Sequence, residues 1–151
     1  MVIKMKHLLF LLLAGCSLEH GNRFINNSVP VYSYIDVNIV NEQFCESGVK
    51  EAKEYLLSHK IVLSHNSYNK DKFILCLPTP NWLMRNLSPV SLSGMTGGNV
   101  AWVTDDSKVI LHELYHLFVD LNHSWSGVMF PIYNPFATGL TEEQLNKLKN
   151  L

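Results

Sequence analysis

The sequence predicts an α+β fold over residues 30–151: a twisted mixed sheet with a backing helix, a second helix that is buried, and a short C-terminal helix. Three observations carry this expectation. Val29 to Val40 (VPVYSYIDVNIV) alternates along a run rich in β-branched and aromatic residues, which reads as a strand. Residues 42–58 place Phe44, Val49, Ala52, Tyr55 and Leu56 at helical spacing, an amphipathic helix with that face inward. Val109, Ile110, Leu111, Leu114, Leu117 and Phe118 then make a segment apolar almost all round, the composition of a buried helix.

The remaining elements follow from local chemistry. Lys60 to Ser64 and Phe73 to Leu77 read as short strands separated by a polar turn at Asn66 to Asp71. Pro78, Pro80 and Pro89 mark a loop. Val90 to Thr96 and Asn99 to Thr104 read as strands bent around Gly97-Gly98, a hairpin signal. Asp105 or Asp106 is the expected N-cap of the buried helix, and Thr141 with Gln144 three residues on forms a capping box for the last one. A chain of 151 residues has room for one such domain around one core, expected as a monomer.

The first residues are excluded from the fold as a targeting segment. Lys4 and Lys6 precede an apolar run from Leu8 to Leu13, far shorter than the roughly 20 residues of a bilayer-spanning helix. Leu13-Ala14-Gly15-Cys16 resembles the lipobox of bacterial lipoproteins. The resemblance implies a signal peptide at 1–15, lipidation of Cys16, a polar tether at 16–29, and a periplasmic or cell-surface protein held to the membrane by its lipid anchor alone. The alternative is an ordinary signal peptide cut elsewhere, with Cys16 incidental.

Net charge is −1, from 12 basic and 13 acidic residues, and becomes −3 once residues 1–15 with Lys4 and Lys6 are set aside. No block of like charge offers a footprint for nucleic acid. Cys45 and Cys76 could pair in an oxidising compartment or stand as two buried thiols; both readings are open at this point. Neither has a second Cys or a His at zinc spacing.

The chemistry sits in the apolar helix. Ionisable groups are costly to bury unless paired or bound, yet this helix carries His112, Glu113 and His116. His112-Glu113-Leu114-Tyr115-His116 is an H-E-x-x-H motif, and residues i and i+4 lie on one helix face, so both imidazoles can reach one ion. Glu113 is rotated by about 100° from His112 and flanks that ion, placed as general base towards a metal-activated water. A catalytic zinc takes three protein ligands and keeps one position open. His123 is the favoured third ligand, but seven further residues of straight helix would carry it about 10.5 Å along the axis from His116. The chain must therefore turn after Phe118, where Asp120 and Asn122 are suited to stop a helix. Asp120, Asn122, Glu142 and Glu143 are the alternatives for the third ligand.

From His112 to Leu151 the chain resembles the C-terminal half of a matrixin-type metzincin protease, whose motif runs H-E-x-x-H-x-x-G-x-x-H and is followed by a tight turn holding a methionine beneath the metal. Gly127-Val128-Met129-Phe130-Pro131-Ile132-Tyr133 is similar to that turn and the segment after it. The resemblance implies Met129 as the turn methionine and Pro131 and Tyr133 as the wall of an S1′ pocket suited to an apolar side chain. It also implies that Val90 to Thr96 is an edge strand binding peptide antiparallel, and that the domain is a minimal metzincin-like (zincin) endopeptidase using Zn2+ on a peptide or protein substrate. Two positions depart from the pattern: Val119 stands where the family has glycine, and Asn122 where it has histidine, with His123 one residue later. A zinc peptidase of another clan, using Glu142 or Glu143, and a non-catalytic zinc-binding surface lipoprotein are the competing readings.

Overall fold

The computed structural model describes residues 30–80, 83, 86, 94–129, 131 and 133–151. The leader, Cys16, the tether and most of the expected strand at 90–96 lie outside the described residues. Within them are five strands: β1 (Ser33–Val40), β2 (Ile61–His65), β3 (Phe73–Cys76), β4 (Gly94–Gly97) and β5 (Val100–Val103). Three helices have described ranges: α1 (Glu46–Ser58), α2 (Ser107–Phe118) and α3 (Glu142–Lys149).

The strands form one mixed sheet in the order β2-β1-β3-β5-β4. β1 pairs in parallel with β2 and β3, β3 in parallel with β5, and β4 alone runs antiparallel, beside β5 at the sheet edge. Ile35, Val37 and Ile39 of β1 are buried while Tyr34 and Asp36 face out, as the alternation predicts. β1 begins at Ser33, where pairing starts opposite Ile61; residues 30–32 precede the strand, and Val29 of the expected run lies outside the described residues. The hairpin turns at Gly98, whose φ of 60° suits a glycine in a two-residue loop.

The predicted helix 42–58 is two pieces. Glu42–Phe44 makes a 3-10 turn, Cys45 leaves helical geometry at φ −142°, and α1 starts after it. This break resets the helical phase, so Phe44 is 42% exposed instead of lying on the buried face with Val49, Ala52 and Leu56. Cys45 is bonded to Cys76 with Cα atoms 5.7 Å apart, which ties the start of α1 to the end of β3. Closing a loop across 31 residues in this way contributes about 2–4 kcal/mol.

Both aspartates before α2 are used. Asp106 caps α2, its side chain accepting from the backbone of Lys108 and Val109. Asp105 Oδ1 accepts from Gly48 N at 2.6 Å, satisfying an N–H in the first turn of α1 that has no partner inside its own helix. The two helix starts are thus latched together, and Gly48 is what lets them meet: a Cβ there would lie 2.8 Å from Asp106 N and 2.9 Å from Ile110 Cδ1. At the other end of α1, the Tyr55 hydroxyl donates to Leu140 O at 3.0 Å and brings in the chain leading to α3. α3 has the predicted capping box, with Leu145 and Leu148 turned into the core.

Glycine-to-alanine inside a helix ordinarily stabilises by about 1 kcal/mol. Gly48→Ala is expected to do the reverse, lowering stability by about 1–3 kcal/mol through overpacking against backbone, as a denaturant titration would read.

Candidate metal centre

Helix α2 presents His112 and His116 on one face, with ring centroids 4.6 Å apart. The helix stops at Phe118 and Lys72 Nζ donates to the carbonyl of Leu117 at 2.8 Å, satisfying one of its last acceptors. Val119 keeps φ at −112°, a backbone that valine adopts without strain, so this turn does not call for glycine. Asp120 Oδ1 then accepts from Asn122 N at 2.8 Å, a side-chain turn that accommodates the additional residue and brings His123 back over the helix.

The three Nε2 atoms converge. His116 Nε2 lies 3.0 Å from His112 Nε2 and 3.3 Å from His123 Nε2. Donors about 2.0–2.1 Å from one tetrahedral ion stand about 3.3–3.4 Å apart, so the spacing fits a shared metal. Among the described residues this trio is the group of side chains that could hold a metal ion.

The proton inventory points the same way. His112 Nδ1 donates to Val128 O at 2.5 Å, and His116 Nδ1 donates to Asp120 O at 2.8 Å. Carbonyl oxygens only accept, so each Nδ1 carries the proton and each neutral ring turns a bare Nε2 lone pair inward. Burial holds the His112 imidazole down at about 4 and lowers that of His116, so both are neutral near pH 7. Two lone pairs 3.0 Å apart repel unless a cation lies between them. The residues therefore fit a metal, and the two carbonyls fix ring orientation as outer partners of metal-bound imidazoles do.

Glu113 stands beside this cluster, only 5% exposed. Its Oε2 lies 2.7 Å from Thr96 Oγ1 on β4. Burial is the larger influence and pushes its carboxyl up to about 7, with the Thr96 hydrogen bond pulling downward. Strand β4 reaches this close because position 94 is glycine: a Cβ there would lie 2.7 Å from Glu113 Cγ and from Val109 Cγ1.

A cavity of about 270 Å³ opens over the site. Gly94, Met95 and Thr96 of β4 line it together with the three histidines and Glu113. Val109, Val128, Pro131 and Tyr133 are also in its lining. Tyr133 is held there by its hydroxyl, which donates to Asp106 Oδ2 at 2.7 Å. Met129 is fully buried in the 3-10 turn Gly127–Met129. Of the alternative ligands, Asp120 spends its side chain on the turn, Asn122 is exposed, and Glu142 and Glu143 are exposed on α3, where Glu143 pairs with Lys147. The Thr96 hydroxyl and the carbonyls of Val128 and Asp120 are site partners that the sequence does not reveal. Two of them act through backbone carbonyls, which leave no mark on the sequence. Comparison with protein-family models and with curated proteins returns no match.

His123→Ala is expected to weaken metal binding strongly, since two imidazoles on a helix face hold an ion poorly against a chelator. Asn122→Ala and Glu142→Ala are expected to be mild. Metal content after dialysis against a chelator ranks the three, and full retention by His123→Ala would remove it from the ligand set.

Proposed function

We propose that this protein is a zinc-dependent endopeptidase of the metzincin type, similar to matrixins, with His112, His116 and His123 as ligands and Glu113 as general base. The observation that carries the reading is the convergence of three Nε2 lone pairs beside a buried carboxyl group. Three imidazoles without thiolates are the donor set of an open catalytic zinc rather than a closed structural one. A purely structural site also has no use for a glutamate buried between its ligands.

When bound, the metal supplies Lewis acidity towards a peptide carbonyl and water. The chain's own residues do the rest. Glu113, with Oε2 held by Thr96, accepts a proton from the attacking water and delivers it to the leaving amine. Burial brings the affinity of that carboxyl for a proton close to neutrality, where a base can both take and return one. β4 lies at the sheet edge, and an extended peptide can be held there by main-chain hydrogen bonds. The lining from Val109, Val128, Pro131 and Tyr133 favours an apolar side chain on the substrate.

Attachment through a lipidated Cys16 is part of the same proposal, with the domain acting at a membrane surface in the periplasm or outside the cell. Among the described residues no helix is long and apolar enough to cross a membrane.

Glu113→Gln should keep zinc and lose cleavage of a fluorogenic peptide library by about 10²–10⁴-fold, the usual worth of a positioned base. Undiminished turnover in that variant would remove the assignment. Cys16→Ser should move the protein from the membrane to the soluble fraction without changing peptide cleavage. Failure of a fatty-acid label to mark the wild type would end the anchoring proposal.

A further inference from the structure

Gln144 is 6% exposed, and a buried primary amide must place both its oxygen and its N–H groups. Its Oε1 accepts from Thr141 N at 2.7 Å, which closes the capping box of α3. A capping box needs only that acceptor, and glutamate would serve equally. The amide nitrogen is therefore surplus to the helix. It donates to Ser124 Oγ at 3.0 Å, across to the residue next to His123.

That contact matters because of how His123 is held. His112 and His116 each have a carbonyl fixing Nδ1, whereas among the described residues no hydrogen-bond partner meets Nδ1 of His123. The His123 ring is exposed and touches the other two imidazoles. Its place is set by the backbone beside it, and Ser124 is the fixed point there. Ser124 N donates to Met129 O at 2.9 Å, its hydroxyl donates to Ser126 O at 2.9 Å, and the same oxygen accepts from Gln144.

We propose that Gln144 is a positioning residue for the third metal ligand, clamping the His123–Ser124 backbone to the first turn of α3. The inference rests on the metal reading given above and assigns the C-terminal helix a part in metal affinity. Gln144 touches neither the metal nor substrate; it acts through Ser124.

Four variants test it on the full protein, with zinc alone as probe in competition with a chromophoric chelator, beside thermal unfolding of the metal-free form. Ser124→Ala removes the acceptor and leaves the capping box whole. It should weaken zinc binding about tenfold, the lower end of what outer partners of metal ligands are worth, and lower the metal-free Tm, because the buried Gln144 amide loses its acceptor. Gln144→Met, close in volume, should weaken zinc similarly and also lower Tm. The double variant Ser124→Ala with Gln144→Met should lose less zinc affinity than the product of the two single losses, because both substitutions break the same Gln144–Ser124 bond. Thr141→Ala, which breaks the other half of the box, should lower Tm and leave zinc affinity within about twofold. Wild-type affinity in Ser124→Ala, multiplicative losses in the double variant, or a zinc loss in Thr141→Ala equal to that of Gln144→Met would each overturn the clamp. A wild type that binds no zinc would sink the metal reading and this proposal together. Zinc binding unaffected by any of the four would sink this proposal alone.

Discussion

Everything around the site depends on two imidazoles that share one helix face with their protons pointing outward. Once Val128 O and Asp120 O take the Nδ1 protons, the Nε2 lone pairs of His112 and His116 must face each other at 3.0 Å. A fold gains nothing by arranging such a repulsive contact in a half-buried place unless a cation resolves it. The same constraint fixes the neighbouring chain. The carbonyl of Val128 must sit opposite one ring and that of Asp120 opposite the other, so both the turn after α2 and the 3-10 turn at Gly127–Met129 take their positions from the histidines they serve.

Glu113 adds a second cost met by local packing. A carboxyl 5% exposed would ordinarily be excluded from an apolar interface, and burial raises its proton affinity accordingly. Among the described residues its side chain has one polar contact, Thr96, and the edge strand packs closely against it. The absence of a side chain at Gly94 is what allows this approach. The edge strand thus has two roles that draw on the same geometry. It holds the carboxyl from one side, and on the proposed reading its edge takes an extended peptide beside that carboxyl.

Much of this was legible in the sequence, for reasons that can be traced residue by residue. The alternation in β1 and the capping box at Thr141 and Gln144 are local patterns, and the structure shows both where they were expected. His112 and His116 were legible because helical periodicity alone puts i and i+4 together. His123 needed a condition, that the chain turn after Phe118, and the turn does occur there through Asp120 and Asn122. Phe44 was placed on the buried face because periodicity carries no knowledge of the break that Cys45 imposes, and the pairing of Cys45 with Cys76 was undetermined because it depends on where β3 lies in space. The contacts that escaped reading altogether, Thr96 to Glu113 and Gln144 to Ser124, join residues 17 and 20 positions apart through side chains that could equally have faced water.

The segment between α2 and α3 shows how a small domain holds an irregular stretch without regular structure. Its described residues contain one 3-10 turn, so few of its backbone groups are satisfied by repeating geometry. Its fixed points include Asp120 O on His116, Val128 O on His112, Val128 N on Gly139 O, Ser124 N on Met129 O, Tyr133 on Asp106 and Gln144 on Ser124. Two of these bonds end on rings that face the metal position, and two end on α3 or the chain leading to it. The loop and the C-terminal helix are therefore tied together at these points. On the proposed metal reading, free energy gained when the three imidazoles close on a cation would be shared by the loop that carries them. The position of the His123 ring is decided by where its backbone is tied, at the Asp120–Asn122 turn before it and at Ser124 after it.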